Sequence, residues 1–496
     1  MSRIQVVWTG EGTYPFVTGG VSTWAHILLS ELRNIDFILM PIQMNPYMTM
    51  KYNIPPNVSK VINVPLWGTE EPLEHIRHVN FSEIYRNKIY TKTHQDVSYF
   101  KPILISLLEH IFQVKNDYDE LGENLVKFYD FFQEYDYYET FKKREVWEIY
   151  KNFLIDYFND KDNIPSVFDM IEGLRYVFRF FITLLPQLPE APIYHSSAAA
   201  FCGLPCIVAK KKYGSKFILT EHGIYIREQY LFASRNKVPY FTKKFLMGLI
   251  STVSKLNYHF ADVISPVCKY NKRWEKKWGD VKEEKIDVIY NGIDIYKFQN
   301  IPKKSEKKKV VMIARIDPLK DIETFIRVAK IVTDKMKNVE FKLYGPVSDE
   351  EYYNRCLNLY RELDLKDKFI FAGPTSSPQH AYNEGDVVVL TSISEAFPFA
   401  VIEAMACEKV VVASDVGGTK EVLEGYGYVV KPKDYEEFAQ KIMYVLQNPD
   451  VAKEMGVEAR QRIIDGFTIE DMTGNYESLY KKMHLEYENE KSKRPL

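Results

Sequence analysis

Short β-branched runs alternate with helical stretches from about Lys308 onward, and this alternation restricts the fold of the chain more than any other feature. Helices are predicted over Ile322 to Met336, over Pro398 to Cys407 and near Glu421, and the strand-like runs between them read KKKVVMIARI, VEFKLYG, DKFIFAG, DVVVLTS, KVVVASD and YGYVVKP. Strict alternation predicts a parallel sheet covered by helices on both faces, which is a Rossmann-like α/β domain.

The N-terminal half contains similar strand-like pieces around a long helical stretch. A helix is predicted over Val21 to Leu32, and the strand-like pieces are IQVVWTG, DFILMPI, APIYHSS, CIVAKK, KFILTEHG, ADVISPV and KIDVIYNGID. Between Glu70 and Pro189 the sequence is rich in Tyr, Phe, Glu and Lys with helical spacing, which predicts a helical insertion.

The length of the chain and a linker-like basic segment predict how it divides into domains. With 496 residues the chain is too long for one ordinary core. The basic run PKKSEKKK from Pro302 to Lys309 has the polarity of an interdomain linker. We predict an N-terminal domain over residues 1–300 with its insertion at about 70–190, a C-terminal domain over 301–469, and a terminal helix over 470–496 that packs back toward the N-terminal domain.

Composition excludes several classes of protein. The 65 Lys and Arg nearly balance the 67 Asp and Glu, so there is no global field to hold nucleic acid or an anionic membrane. Five scattered cysteines favour a reducing compartment, and the start MSRIQVVWTGEG resembles a first strand rather than a signal peptide. No run of about 18 apolar residues exists, and VFRFFITLL from Val177 to Leu185 is broken by Arg179 and is too short to cross a bilayer. A cytoplasmic protein is expected.

Anion-binding candidates follow two of the predicted strands. Gly19 and Gly20 stand in TYPFVTGGVSTW where a loop meets a helix, and glycines there let backbone amides approach an anion. A plain tight turn is the alternative. Arg315 and Lys320 in ARIDPLKD suit a diphosphate, the Arg through paired hydrogen bonds and the Lys through charge. The alternative is a surface pair near Asp317 and Asp321.

Two glutamates frame the segment EAFPFAVIEAMA. Glu395 lies in the loop after strand DVVVL, Pro398 is placed to open a helix, and Glu403 lies on that helix eight positions after Glu395. A helix N-terminus at this place favours a phosphate, and the separation fits one carboxylate on a sugar and the other on a ribose. His222 also follows a strand, in FILTEHGIY, although a structural role is the commoner one for a lone histidine.

These motifs resemble a known family. ARIDPLKD, EAFPFAVIEAMA, SDVGG and VIYNGID together look like retaining glycosyltransferase family 4, whose fold is GT-B with two Rossmann-like domains facing a cleft. The match covers Asp287 to about Phe467. TGGVSTW, TEHGIYIRE and the helical insertion are closer still to the PelF group, cytosolic transferases of Pel exopolysaccharide synthesis.

The resemblance assigns roles to individual residues. It implies that Glu403 holds the ribose hydroxyls, that Glu395 lies beside the reacting face of the donor sugar, and that Arg315 and Lys320 bind the diphosphate and stabilise the leaving nucleotide. Gly19 and Gly20 lie against that diphosphate, His222 meets the donor sugar, and the backbone of Phe397, Pro398 and Phe399 lines its pocket. One departure is Ala396, where the family often has glycine.

The implied activity is metal-independent retaining transfer of a hexose or N-acetylhexosamine, with UDP-glucose among the donors, from a UDP-sugar to a growing polysaccharide. No cofactor is expected. The implied setting is biofilm exopolysaccharide synthesis, peripheral to the membrane through polysaccharide-export components. Donor sugar, acceptor, linkage, oligomeric state and the role of the insertion stay open. The alternatives are a non-catalytic nucleotide-sugar-binding scaffold, a GT-B epimerase and a phosphorylase-like enzyme.

Overall fold

The chain forms two compact units in a computed structural model that describes residues 3–69, 71–76, 80–94, 97–159, 164–235, 238–302 and 307–493. The first unit comprises Met1–Pro266, Arg273–Asp287 and Tyr476–Leu496. The second comprises Val267–Lys272 and Val288–Asn475. Four residues of the predicted linker, 303–306, lie outside the described residues, as does Glu70 at the start of the predicted insertion.

A parallel sheet forms the centre of the first unit. Its strands are β1 Ile4–Glu11, β2 Ile35–Gln43, β3 Val58–Val61, β4 Val64–Pro65, β5 Ile193–Ser196, β6 Lys216–Glu221 and β7 Val263–Pro266. They lie side by side in the order β3-β2-β1-β5-β6-β7, and β4 pairs with β2. Every pairing is parallel.

A second parallel sheet forms the centre of the second unit. Its strands are β8 Lys308–Ile313, β9 Val339–Tyr344, β10 Phe369–Gly373, β11 Val387–Leu390, β12 Val410–Ser414 and β13 Tyr428–Val430, in the order β10-β9-β8-β11-β12-β13. Both sheets therefore have the doubly wound order in which the direction of winding reverses beside the first strand. Ligands of such sheets bind beyond the carboxyl ends of the strands, so those ends contain the candidate sites.

Helices connect and cover the strands. In chain order they are α1 Gly20–Glu31, α2 Pro72–Ile76, α3 Phe81–His94, α4 Phe100–Ile111, α5 Tyr118–Glu134, α6 Tyr137–Phe141, α7 Arg144–Phe158, α8 Val167–Phe180, α9 Leu204–Tyr213, α10 Tyr225–Arg235, α11 Tyr240–Phe260, α12 Lys269–Gly279, α13 Ile322–Lys335, α14 Glu350–Glu362, α15 Pro378–Glu384, α16 Phe399–Ala406, α17 Thr419–Leu423, α18 Tyr435–Gln447, α19 Pro449–Ile464 and α20 Ile469–Lys491. Short 3₁₀ turns cover Phe181–Leu184, Phe201–Gly203, Glu283–Lys285 and Lys366–Lys368.

Two segments of the N-terminal half that were predicted as strands do not form strands. CIVAKK lies in α9, which has Pro205 at its first turn and ends on Gly214 in the left-handed conformation. Because α9 connects the parallel neighbours β5 and β6, the connection must cross over the sheet, and a helix performs that crossover. KIDVIYNGID forms only isolated bridges, from Ile286 to Ile264 and from Ile293 to Thr468.

The insertion between β4 and β5 is helical. Helices α2 to α8 occupy it, and their aromatic side chains form a core continuous with that of the sheet. Phe100, Phe128 and Phe132 are buried, with ring centroids 4.8 to 6.0 Å apart. The aromatic-rich run from Phe128 to Phe141 thus packs helices together. No helix in the described part of the chain is both long and apolar enough to cross a membrane.

Residues 288–300 belong to the second unit although they precede its first strand. Phe298 is buried in the apolar cluster beneath α16 and α19. The guanidinium of Arg460 donates to the carbonyls of Ile295 and Phe298 and to that of Ala406. One side chain on α19 therefore attaches this segment to the unit, so the unit begins upstream of the predicted limit at residue 301.

Candidate functional site at the carboxyl ends of the sheets

Lys320 and Glu395 meet at the carboxyl end of the second sheet. The Lys320 Nζ lies 2.5 Å from the Glu395 Oε1, and the two side chains are 21% and 12% exposed. Lys320 follows β8 and Glu395 follows β11, and these strands are neighbours in the sheet. The sequence predicted both residues for the site but assigned them to different parts of a ligand, and the structure brings them into direct contact.

Residues that follow two neighbouring strands contact the backbone of the Lys320 loop and hold it in place. Thr391, directly after β11, donates its hydroxyl to the carbonyls of Lys320 and Asp321 at 3.0 and 2.9 Å. Gly345, after β9, packs so closely against this loop that an added Cβ would lie 1.8 Å from the Ala314 carbonyl oxygen. The loop that bears Arg315 and Lys320 is thus positioned from both sides.

A glycine pair holds the Glu395 loop. Gly417 has φ near 57°, and a Cβ there would lie 1.9 Å from the Glu395 carbonyl oxygen. The amide of Gly418 donates to the Ala396 carbonyl at 2.5 Å. Only residues without a side chain permit this approach, so the SDVGG motif positions Glu395 through its backbone.

The segment after Glu395 starts α16. Pro398 is the residue before the first helical residue, Phe399, so the predicted helix start was one residue early. Phe397 is 5% exposed and stacks on Phe467 with ring centroids 5.7 Å apart. Phe397 thus anchors the start of α16 in the core, and no side chain in the described part of the protein caps the first amides of this helix, a position that favours anions.

Glu403 lies in the next turns of α16 and accepts a hydrogen bond. The Tyr382 hydroxyl of α15 donates to the Glu403 Oε2 at 2.8 Å. Burial raises the pKa of Glu403 to about 7, and the hydrogen bond from Tyr382 lowers it in part. The ionisation of this carboxyl is therefore sensitive to pH near neutrality, and its partner Tyr382 was not among the predicted site residues.

Arg315 is the most exposed of the predicted residues in this unit. Its side chain is 60% exposed, and one guanidinium nitrogen lies 3.4 Å from the Asp317 Oδ2. The contact agrees with the surface-pair alternative, and it leaves most of the guanidinium in solvent. The exposed part of the guanidinium is accessible to an incoming anion, while the carboxylate that it contacts, Asp317, is buried.

Gly19 and Gly20 lie at the start of α1 in the first unit. Gly19 is the exposed residue before the helix, Gly20 is its first residue, and no side chain caps the first amides. A Cβ on Gly19 would meet nothing within 4 Å among the described residues. The loop therefore leaves open space above free amides, which suits the close approach of a ligand.

His222 follows β6 in the same unit and packs on Trp24. The ring centroids are 4.3 Å apart, and the Nε2 is buried with no hydrogen-bond partner among the described residues. Burial lowers the pKa of His222 to about 3, so the imidazole is neutral at pH 7. It can offer a hydrogen bond there, but not a positive charge.

Three further carboxyls at the first sheet were missed by the sequence reasoning. Glu11 ends β1, Glu221 ends β6, and Glu275 of α12 hydrogen-bonds Glu221. The Tyr258 hydroxyl lies 2.8 Å from both carboxylate oxygens of Glu221, and burial raises the pKa of that carboxyl to about 7. Glu11 and Glu221 could have been found from the sequence, because each is an acidic residue at the end of a largely apolar strand.

The described residues contain no group of three or more His, Cys, Asp or Glu side chains arranged to hold a metal ion. Cys202 and Cys206 are buried free thiols, and burial raises the pKa of Cys206 to about 12.

Family models match both halves of the chain. The model described as "Domain of unknown function (DUF3492)" matches residues 4–283, and the model described as "Glycosyl transferases group 1" matches residues 295–462. The second match contains the Lys320–Glu395 pair, Arg315, Glu403 and Gly417.

Among curated proteins, the chain is similar to the poly(ribitol-phosphate) alpha-N-acetylglucosaminyltransferase of Staphylococcus aureus. The two are 29% identical over 39% of this chain and 40% of the relative. The first curated relatives are matched over 40% to 58% of their own length, so the chain spans about half of each.

Two solved structures share the architecture over the whole chain. Sucrose-phosphate synthase from Thermosynechococcus elongatus superposes with a TM-score of 0.62 at 16% identity, covering 97% of this chain and 99% of that one. Anabaena Alr3699/HepE in complex with UDP and glucose superposes with a TM-score of 0.59 at 12% identity, covering 97% and 100%. Together with the two doubly wound sheets, these neighbours establish the predicted GT-B fold.

The first family model covers more than half of the 496 residues, and the second covers the unit that contains the ion pair. The chain therefore belongs to the DUF3492 family, and it joins that domain to a glycosyl transferases group 1 domain in a GT-B fold.

Proposed function

We propose that this protein is a retaining glycosyltransferase that moves a hexose or N-acetylhexosamine from a UDP-sugar to a growing polysaccharide. The observation that carries the proposal is the Lys320–Glu395 ion pair, with Arg315 in the same loop as Lys320 and with the start of α16 four residues after Glu395. Its position in a group 1 glycosyltransferase domain, at the carboxyl end of a doubly wound sheet, supports it.

The donor contacts in the second unit follow from charge and reach. Lys320 and Arg315 supply the cations for a diphosphate, and the α16 amides supply further donors. Glu403, about one and a half turns along the helix, is spaced to accept hydrogen bonds from ribose hydroxyls. Glu395 then lies at the sugar end, with Phe397 and Phe399 framing the backbone between the two carboxyls.

The chemistry requires stabilisation of a leaving group. The bond between the sugar C1 and the phosphate oxygen breaks, and its electron pair leaves with UDP. The acceptor oxygen bonds to C1 on the same face, and its proton passes to the departing phosphate oxygen. Negative charge that develops on the β-phosphate is stabilised by fixed cations and amides, here Lys320, Arg315 and the start of α16. This scheme uses no metal ion.

Residues of the first unit complete the proposal. Gly19 and Gly20 are assigned to the diphosphate because no described side chain caps the start of α1 and the space at Gly19 is open. His222 is assigned to the donor sugar, as a neutral hydrogen-bonding group, because its Nε2 lacks a partner among the described residues and its pKa is low. The assignments rest on the resemblance to glycosyltransferase family 4 as well as on this geometry.

The cellular role is proposed from the PelF resemblance. Synthesis of a Pel-like exopolysaccharide in the cytoplasm, next to membrane-bound export components, fits a donor site for nucleotide sugars. The similar alpha-N-acetylglucosaminyltransferase of S. aureus agrees with an N-acetylhexosamine as the transferred sugar, and the Anabaena complex with UDP and glucose agrees with a UDP-sugar donor.

UDP release from purified protein tests the proposal. The wild-type chain is incubated with UDP-glucose, UDP-N-acetylglucosamine and their galacto epimers, with and without acceptor extract. We expect release from at least one donor, and about 100-fold slower release from Glu395→Gln. Tight UDP binding without release under every condition would instead indicate a non-catalytic scaffold, and interconversion of two donors would indicate an epimerase.

A further inference from the structure

We propose that Glu11 binds a hydroxyl group of the sugar acceptor. The inference rests on the proposed function and adds to it a residue that lies outside the donor contacts. Glu11 is the last residue of β1, the strand beside which the winding of the first sheet reverses. Its side chain therefore emerges at the carboxyl edge of that sheet, where ligands of this fold bind.

The two oxygens of Glu11 have different surroundings. The backbone amides of Phe201 and Cys202 and the hydroxyl of Tyr225 interact with the carboxyl. The Oε2 is buried and has no hydrogen-bond partner among the described residues. A buried carboxylate oxygen without a partner is costly, and in native proteins such a group usually has a water or a ligand. The unsatisfied oxygen is thus an acceptor atom available to a hydroxyl.

The surroundings fix the direction of this carboxyl. Gly12 turns the chain directly after it, with φ near 62° and its amide bonded to the Ile42 carbonyl at 2.8 Å. On the other side, the amide of Tyr225 donates to Glu221 at 3.2 Å, which holds the Tyr225 ring near Glu11. The carboxyl is therefore prearranged before any ligand enters, as a binding residue must be.

Charge excludes a phosphate as the ligand of this group. Among the residues that the structure describes, the titratable groups found to interact with Glu11 are the Cys202 thiol and the Tyr225 hydroxyl, and neither supplies a cation. A carboxylate without a cation nearby repels the diphosphate of a donor and accepts hydrogen bonds from neutral hydroxyls. Burial raises the pKa of Glu11 to about 7, so both its ionised and protonated forms are available near neutral pH. A polyhydroxylated sugar acceptor suits these properties.

A structural role for Glu11 makes a different prediction. If the carboxyl serves only to receive the amides of Phe201 and Cys202, then Glu11→Gln preserves that role, because the carboxamide oxygen accepts the same bonds. The same substitution removes the negative charge offered to the acceptor hydroxyl. The matched control is Glu139→Gln, which removes a carboxyl that is 8% exposed from the insertion, where it pairs with Lys92.

The experiment uses the full chain with UDP-glucose and UDP-N-acetylglucosamine as donors and with maltose and N,N′-diacetylchitobiose as acceptor probes. For Glu11→Gln we expect a 10- to 100-fold loss of kcat/KM for the acceptor, about the value of a hydrogen bond to a charged group. The UDP Kd, donor hydrolysis and the thermal midpoint should match those of the wild type and of Glu139→Gln. In the wild type, acceptor kcat/KM should rise with pH near 7 as Glu11 ionises, and Glu11→Gln should lack this rise.

Acceptor binding is measured separately by saturation-transfer NMR, so that the result does not depend on turnover. Weaker saturation of the acceptor probes by Glu11→Gln supports the proposal even if UDP release fails, which would overturn only the proposed transferase activity. Two results of this measurement would overturn the assignment of Glu11: equal saturation of the probes by wild type and Glu11→Gln, or no saturation of either probe by wild type. A loss of UDP binding in Glu11→Gln as large as its loss of acceptor binding would also overturn it.

Discussion

Lys320 and Glu395 are 75 residues apart in sequence, yet the Lys320 Nζ lies 2.5 Å from the Glu395 Oε1 at the carboxyl end of the second sheet. The pair neutralises a cation that is otherwise free to bind an anion. A diphosphate that approaches Lys320 must therefore share the ammonium group with Glu395 or displace it. The contact links the proposed phosphate end of the donor to its sugar end.

Removal of the Lys320 ammonium should slow transfer. For Lys320→Ala we expect kcat/KM for the donor to fall about 100-fold, because one fixed charge on the leaving group is lost. Steady-state UDP release measures the effect. The control is Lys330→Ala on α13 in the same unit, where an exposed i,i+4 pair with Asp334 is lost. A loss of less than 3-fold in Lys320→Ala would contradict the assigned role.

Gly417→Ala should disrupt the site through the Glu395 backbone. The new Cβ would lie 1.9 Å from the Glu395 carbonyl oxygen, and φ near 57° adds the strain of a left-handed alanine, about 1 kcal/mol. We expect a lower thermal midpoint and UDP binding at least 10-fold weaker by calorimetry.

Gly425→Ala provides the matched control for the left-handed conformation. Gly425 also has positive φ, near 89°, but a Cβ there meets nothing within 4 Å among the described residues. Gly425→Ala should lower the thermal midpoint through a similar backbone strain and leave the UDP affinity unchanged. Equal UDP affinity in both variants would show that the Gly417 contact does not position Glu395.

UDP affinity should depend on the ionisation of Glu403. Burial raises the pKa of this carboxyl to about 7, so the ionised form, the better acceptor for ribose hydroxyls, is gained as the pH rises from 6 to 8. We expect the UDP Kd to fall several-fold over this interval, measured by calorimetry. Glu403→Gln has no such titration, and its Kd should follow only the titration of UDP itself. Parallel pH profiles for the two proteins would refute this role.

His195 should make the first unit less stable in acid. It is fully buried between Tyr480 and Thr220, and burial lowers its pKa from 6.5 to about 3. The unfolded chain binds the proton more readily, so this contribution to stability is present above pH 6.5 and is lost as the pH falls toward 3. Between pH 7 and pH 5 the loss is about 2 kcal/mol.

The measurement is urea unfolding followed by tryptophan fluorescence; the chain has six tryptophans, and the ring of one of them, Trp24, lies 5.8 Å from that of His195. Glu11 and Glu221 act in the opposite direction, because their raised pKa values favour the folded state as the pH falls below 7. The comparison of wild type with His195→Gln cancels their effect. Between pH 7 and pH 5, wild type should lose about 2 kcal/mol more stability, or gain about 2 kcal/mol less, than His195→Gln, and an equal change in the two proteins would contradict the prediction.

The sequence by itself determined the parallel-sheet class of both units, the helical insertion and the placement of Lys320 and Glu395 after strands β8 and β11. These properties are local: β-branched runs form buried strands, and the residues that follow them must emerge at one edge of the sheet. The resemblance to glycosyltransferase family 4 implied a role for each candidate residue, and the roles of Glu395, Arg315 and His222 stay predictions.

Only the tertiary structure decided which of these residues touch and what their surroundings do to them. The Lys320–Glu395 contact depends on the adjacency of β8 and β11, which no local pattern encodes. CIVAKK is a helix because β5 and β6 are parallel neighbours, not because of its own apolar composition. The pKa values of Glu11 and Glu403 depend on burial, and burial arises from distant parts of the chain that pack together.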